Sequence, residues 1–118
     1  MKSNVLKELK RSMVTSFLDT IILAELRNSI TLGGYDVIEF IRRKFGFLIS
    51  PGTIYALMYS MERKGLLRGI EVQAKRKYTL TDKGIETINA IIESKVEIQT
   101  FMRTILAVDQ TIPSLQSQ

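Results

Sequence analysis

Cysteine and histidine are both absent from this chain of 118 residues. Disulfides are therefore excluded, and so are the thiolate and imidazole ligands of the usual zinc and haem sites. Neither a thiol nor an imidazole can act as a catalyst. The lack of cysteine suits a reducing compartment. No run of roughly 18 apolar residues occurs either, so a membrane-spanning helix is not expected. Val14 to Leu26 is apolar in part, but Asp19 and Glu25 interrupt it and no clean small-residue cleavage site follows. That makes a poor signal-peptide core. The expectation is a cytoplasmic protein with no membrane partner. Acidic residues are few and scattered, and neither a phosphate-binding glycine loop nor a metal-ligand spacing is present. Asp36 and Glu39 share a helix face, but a pair of this kind is ordinarily solvated. No enzyme, cofactor or metal site is expected.

What is present is a foldable composition, 45% hydrophobic, in a length that suits one modest domain with one core. The formal net charge of +5 is unevenly spread. Residues 1–80 hold 14 basic and 7 acidic side chains, a balance of +7, whereas residues 81–118 hold 3 and 5, a balance of −2. The positive excess points to a polyanionic partner for the first two-thirds and a different task for the remainder.

One stretch organises the chain. Ser50 to Gly65 reads as a helix, with Ser50 as N-cap, Pro51 in the first turn and Gly65 in the left-handed conformation that ends it. Ile54, Leu57, Met58 and Met61 recur at spacings of three and four and form a buried stripe. The opposite side carries Gly52, Ala56, Tyr59 and Arg63, flanked by Thr53, Tyr55 and Ser60. This outer face is short-chained, rich in hydroxyls and nearly free of acid, which suits a DNA major groove. An ordinary amphipathic surface helix is the plainer alternative.

Around that stretch the chain reads in order. Residues 1–13 form a basic amphipathic arm or helix in which Val5, Leu6 and Leu9 are available to another subunit. Val14 to Arg27 is helical, Asn28-Ser29 is a break, and Ile30 and Leu32 make a very short strand or simply cover the core. Gly33-Gly34 is flexible punctuation. Tyr35 to Phe45 is a second helix that ends in Arg42, Arg43 and Lys44, where positive charge suits the helix dipole. After the Ser50 helix the period changes, predicting a hairpin of roughly Leu67–Val72 and Arg76–Thr81. Its tip lacks Asn-Gly or Asp-Gly, so a longer turn is expected. Thr81 or Asp82 caps a final helix running to about Val108, too long for one small domain to cover. Its later apolar positions, Ile91, Ile98, Phe101, Met102, Ile105 and Leu106, are expected to lie against a twin subunit. The alternative is a fold-back onto the N-terminal helix.

The fold class is thus mainly α with a small β-hairpin: a winged helix-turn-helix over residues 14–81, a dimerisation helix over 82–108 and a flexible tail over 109–118. Five local runs in this frame resemble the PadR family of winged-helix transcriptional regulators. They are Gly34-Tyr35-Asp36-Val37-Ile38, Phe45-Gly46, Ser50-Pro51-Gly52-Thr53-Ile54-Tyr55 through Leu57, Met61 through Leu67, and Lys77-Tyr78-Thr79-Leu80-Thr81-Asp82-Lys83-Gly84. The resemblance covers roughly residues 18 to 84, and the Ser-Pro-Gly-Thr-Ile-Tyr run is its most specific part. It implies a homodimeric repressor acting on double-stranded DNA. It also implies that Tyr55 contacts DNA from the recognition helix, that the basic hairpin contacts the flanking minor groove or phosphates, and that the last helix lies in the dimer interface. The sequence departs from the family in its short hairpin, where Ile70 and Glu71 replace the usual aromatic residue. No small-molecule effector can be named.

Phosphate contacts would position such a protein and base contacts would specify the sequence. Ser50, Pro51, Gly52 and Thr53 present the first turn to a phosphate. Tyr55 and Tyr59 can bring a hydroxyl to the backbone, and Tyr59, nearer the outward direction with Ala56, suits a base or a thymine methyl. Ser60, Arg63 and Lys64 extend the face towards the backbone. At the wing, Lys75 and Lys77 are the expected contacts, with Arg76 beside them. Tyr35, Arg42, Arg43 and Lys44 are further candidates for phosphate. A winged-helix module that binds a protein and not DNA is the rival reading.

Overall fold

The computed structural model describes residues 1–108; the tail proposed for 109–118 lies outside the described residues. The elements follow in the order α1 (Lys2–Ser16), α2 (Leu18–Asn28), α3 (Gly34–Phe45), α4 (Pro51–Arg63), β1 (Leu67–Val72), β2 (Lys75–Leu80), α5 (Asp82–Glu93) and α6 (Lys95–Leu106). Helices α2 to α5 and the hairpin enclose one core. Ile22, Val37, Ile41, Ile54, Met58, Met61, Leu67 and Ile88 are its most deeply buried side chains. Full burial of each is worth roughly 1.5–3 kcal/mol over exposure. The stripe expected on the Ser50 helix is this contact: Ile54, Met58 and Met61 are buried and Leu57 is partly so.

The two strands pair antiparallel from Leu67 opposite Leu80 to Val72 opposite Lys75. Leu32 adds a one-residue bridge on the far side of β2: its N–H donates to the Tyr78 carbonyl at 3.0 Å, and the Tyr78 N–H donates back at 2.9 Å. The short strand expected near Ile30 and Leu32 is therefore a single bridge, and Ile30 stands in solvent.

Four local expectations are corrected. The N-terminal arm and the first helix do not divide at residue 13. One helix runs to Ser16, and the chain turns at Phe17 (φ −105°, ψ 19°) so that Val14 and Leu18 both reach the core. Gly33 and Gly34 are packed, not an open break: both are buried, and Gly34 opens α3. The hairpin tip is a tight two-residue turn in which Gln73 and Ala74 take φ of 52° and 63°. Positive φ at both positions marks a type I′ turn, whose twist matches that of the strands. Pairing has imposed it on residues that do not favour it. Finally, the terminal rod is interrupted at Ser94 (φ −94°, ψ 16°). The Ser94 hydroxyl donates to the Ala90 carbonyl at 2.9 Å, a back-bond that bends helices.

α6 buries none of its residues, so it does not fold back into a core. Val96, Ile98, Phe101, Ile105 and Leu106 are all exposed, as are Val5, Leu6 and Leu9 on α1. Met102 is half-buried, and Ile91 packs in part against the chain's own core. These outlying helices stretch the molecule to 68 × 30 × 21 Å. No helix among the described residues is long and apolar enough to cross a membrane.

Candidate nucleic-acid interface

α4 begins as its sequence dictates. The Ser50 hydroxyl accepts from the Thr53 N–H at 3.2 Å and pairs with the Thr53 hydroxyl at 2.8 Å, and Pro51 occupies the first turn. Gly65, at φ +81°, follows the other end of the helix. With Ile54, Met58 and Met61 turned inward, Pro51, Gly52, Thr53, Tyr55, Ala56, Tyr59, Arg63 and Lys64 are left exposed, and Ser60 is half-buried. Tyr55 and Tyr59 are 51% and 56% exposed. The Arg63 guanidinium lies 5.7 Å from the centre of the Tyr59 ring, which holds that cation on the outer face.

Tyr55 owes its position to a glycine. A Cβ built on Gly34 would land on the Tyr55 ring, so the first turn of α3 forms a bare seat for it. Gly33, Gly34, Tyr35, Asp36, Tyr55, Lys75, Arg76 and Lys77 together line an open cleft of about 520 Å³ between α3, α4 and the wing. Asp36 is the acid of this cleft. It accepts from the Gly33 N–H at 2.7 Å, closing the first turn of α3, and its carboxylate lies 3.8 Å from Lys77 Nζ.

The three wing cations differ in their surroundings. Lys75 is exposed and has no ion-pair partner among the described residues. Lys77 is half-buried beside Asp36. Arg76 Nη2 donates to both Glu62 oxygens, at 2.8 and 2.6 Å. The hydrogen bonds from Arg76 are the main cause holding the Glu62 carboxyl below its usual range, and in return they raise the Arg76 guanidinium further above its own. Strand alternation puts Lys75 and Lys77 on one face of the hairpin and Arg76 on the other. Arg68 is exposed on the Lys75 face.

The second basic run is not brought to this cleft. Arg42 donates to Glu39 at 2.9 Å, and Lys44 lies 5.3 Å over the Phe40 ring and 5.8 Å over the Phe45 ring. Hydrogen bonding to Arg42 lowers the Glu39 carboxyl from its ordinary value. These residues sit at the far end of α3, roughly 12–15 Å along the helix from Gly34. Tyr35, by contrast, stands exposed at the cleft.

Sequence reasoning missed Glu62, the acid on a helix otherwise nearly free of acid. It also missed Arg68, whose spacing of two from Ile70 and Val72 puts it on the face of their partners Lys77 and Lys75. Arg11 was missed as well: its guanidinium lies 4.9 Å over the Phe47 ring and reaches the Leu48 carbonyl at 3.5 Å, tying α1 to the connector before α4.

Two helices joined by a short connector, a basic-tipped hairpin beside the second and an exposed outer face on that second helix define a winged helix-turn-helix protein of the DNA-binding kind. The model of the transcriptional regulator PadR-like family matches residues 22–90, and the chain belongs to that family. That family is one of transcriptional regulators. The crystal structure of a PadR-like transcriptional regulator from Bacillus cereus is 24% identical, covers 83% of this chain and 99% of its own, and superimposes with a TM-score of 0.65. Bacillus subtilis PadR, solved in complex with operator DNA, is 26% identical over 64% of this chain and 46% of its own, with a TM-score of 0.54. The transcriptional activator GvpE2 of Halobacterium salinarum is 24% identical over 97 residues, 80% of this chain. The chain spans about half the length of that relative.

Proposed function

We propose that the chain acts in the cytoplasm as a homodimeric, sequence-specific repressor on a near-palindromic DNA site. α4 enters the major groove. Ser50 and Thr53 meet a phosphate at its first turn, Tyr55, Ala56 and Tyr59 face the bases and backbone, and Lys75 and Lys77 hold the flanking DNA. The observation that carries this reading is the exposed outer face of α4 standing beside the wing cleft. The uncovered apolar face of α6, with Val5, Leu6 and Leu9 of α1, supplies the surface for a second copy. In such a pair the two groove helices lie about 34 Å apart, one DNA turn. Few side chains on α4 suit two-point reading of guanine, so methyl contacts and DNA shape carry much of the specificity. The operator complex of Bacillus subtilis PadR supports DNA as the partner.

The test is fluorescence anisotropy on duplex DNA, followed by selection of preferred sites. Binding should weaken steeply between about 50 and 200 mM salt, because released counterions drive it. Tyr55→Phe and Tyr59→Phe should separate ring from hydroxyl, and an unchanged affinity in both overturns the tyrosine assignment. Because the matched relative GvpE2 is an activator, direction needs its own readout. A reporter on the selected site should rise when the chain is removed; a fall overturns repression.

A further inference from the structure

Arg76 belongs to one of the two runs of three consecutive cations in the chain, yet its guanidinium is committed to α4. Both Glu62 oxygens accept from its Nη2, and Glu62 Oε2 also accepts from the Gly69 N–H at 3.1 Å. One carboxylate in the last turn of α4 therefore grips both strands of the wing: β1 through a backbone amide and β2 through a side chain. Gly69 makes the grip possible. It sits opposite Tyr78 in the ladder, and a Cβ there would land on the Arg76 guanidinium, which crosses the bare backbone and lies 5.5 Å over the Tyr78 ring. No other ion pair among the described residues joins α4 to the wing.

We infer that Glu62, Arg76 and Gly69 form a clamp that fixes the angle between the recognition helix and the wing, and that Arg76 is a positioning residue and not a contact to DNA. The inference rests on the proposed reading in which α4 and the wing face one duplex. A loose hairpin would have to be ordered on each encounter, at the expense of affinity. A lone exposed ion pair contributes little, but here three hydrogen bonds converge on one carboxylate and the cation is stacked as well. The clamp also leaves Lys75 as the cation of the tip that is free for phosphate.

The test uses the full chain with E62Q, R76Q, the double variant and K75Q, and measures anisotropy on a short random duplex across a salt series. Glu62→Gln removes a negative charge near the DNA, so simple electrostatics predicts tighter binding. The clamp predicts the opposite sign, a weakening of about 3- to 10-fold. R76Q should weaken binding similarly while leaving the salt slope unchanged, whereas K75Q should lower that slope by about 1. The double variant should be no weaker than the worse single one. Tighter or unchanged binding in E62Q, or an R76Q slope that falls as K75Q does, overturns the inference. Backbone order parameters of the free protein supply a second readout. Residues 72–76 should fall below about 0.6 in E62Q, and a rigid tip there also overturns the clamp. If the unaltered chain binds no duplex at low salt, the functional reading fails by itself, and the order parameters still judge the clamp.

Discussion

At Ala74 the backbone takes φ +63°, a conformation in which an L side chain crowds the following carbonyl. That crowding costs roughly 1–2 kcal/mol, offset in part by the greater freedom glycine has when unfolded. Ala74→Gly should therefore stabilise the chain by about 0.5–1 kcal/mol, a rise of some 2–6 °C in the thermal midpoint. A lowered midpoint would show that the turn is not strained. Nothing in the letters Gln73-Ala74 announced a tight turn, because the demand for it comes from the paired strands and the clamp at Glu62. Where the determinant is local, the residues were readable. Ser50 bonds the Thr53 amide it was expected to cap, and Thr81 does the same for the Gly84 amide at 3.0 Å. Where the determinant is a neighbour distant in sequence, as for Arg76 with Glu62 or Gly34 with Tyr55, residue type gave the chemistry but not the partner.

Among the elements, the start of α5 shows how packing overrides propensity. The sequence alone treats Gly84 as a weak spot in the first turn of a helix, and alanine there would be favoured by about 1 kcal/mol. In the fold Gly84 is buried, and a Cβ on it would land on the Leu66 carbonyl oxygen, a backbone atom that cannot swing aside. The Thr81 N–H donates to that same carbonyl at 3.2 Å, so the approach is part of how the wing hands the chain to α5. Gly84→Ala should lower stability by about 1–3 kcal/mol in denaturant unfolding; a gain would mean that the helix start relaxes freely. The helices and hairpin were legible because their hydrophobic periods are strong, and the motif order gave the winged helix. The breaks at Phe17 and Ser94 were not legible, since both segments keep a helical pattern straight through them. At Phe17 the side chains that must reach the core, Val14 and Leu18, decide where the axis changes. The hydroxyl back-bond at Ser94 does not do so by itself, since Thr87 and Thr104 make the same bond inside unbroken helices.

For the whole molecule the governing fact is the pair of outlying helices. Phe101 and Ile105 are 65% and 59% exposed, and Ile98, exposed as well, falls on the same face of α6 by helical spacing. In the proposed homodimer this face is covered by the second copy. Phe101→Glu should then convert a dimer into a monomer by analytical ultracentrifugation. It should leave the winged-helix core folded and weaken binding to a two-half-site duplex by more than 10-fold, as expected when two linked contacts become one. A dimer that persists would move the interface elsewhere. The total charge and its skew towards residues 1–80 were readable from the start. The mutual placement of two copies is not written in one chain's pattern of apolar residues, which says that a face needs covering and not at what angle.

α6 has a further consequence, for the lifetime of the molecule. A helix of 12 residues with no buried side chain is near the lower limit at which a helix holds together by itself in water. In the proposed homodimer the second copy would hide from proteases a cleavage site at Phe101 and Leu106 that a lone copy leaves open. Turnover would then fall as the chain accumulates, so that degradation itself registers how many copies have found one another.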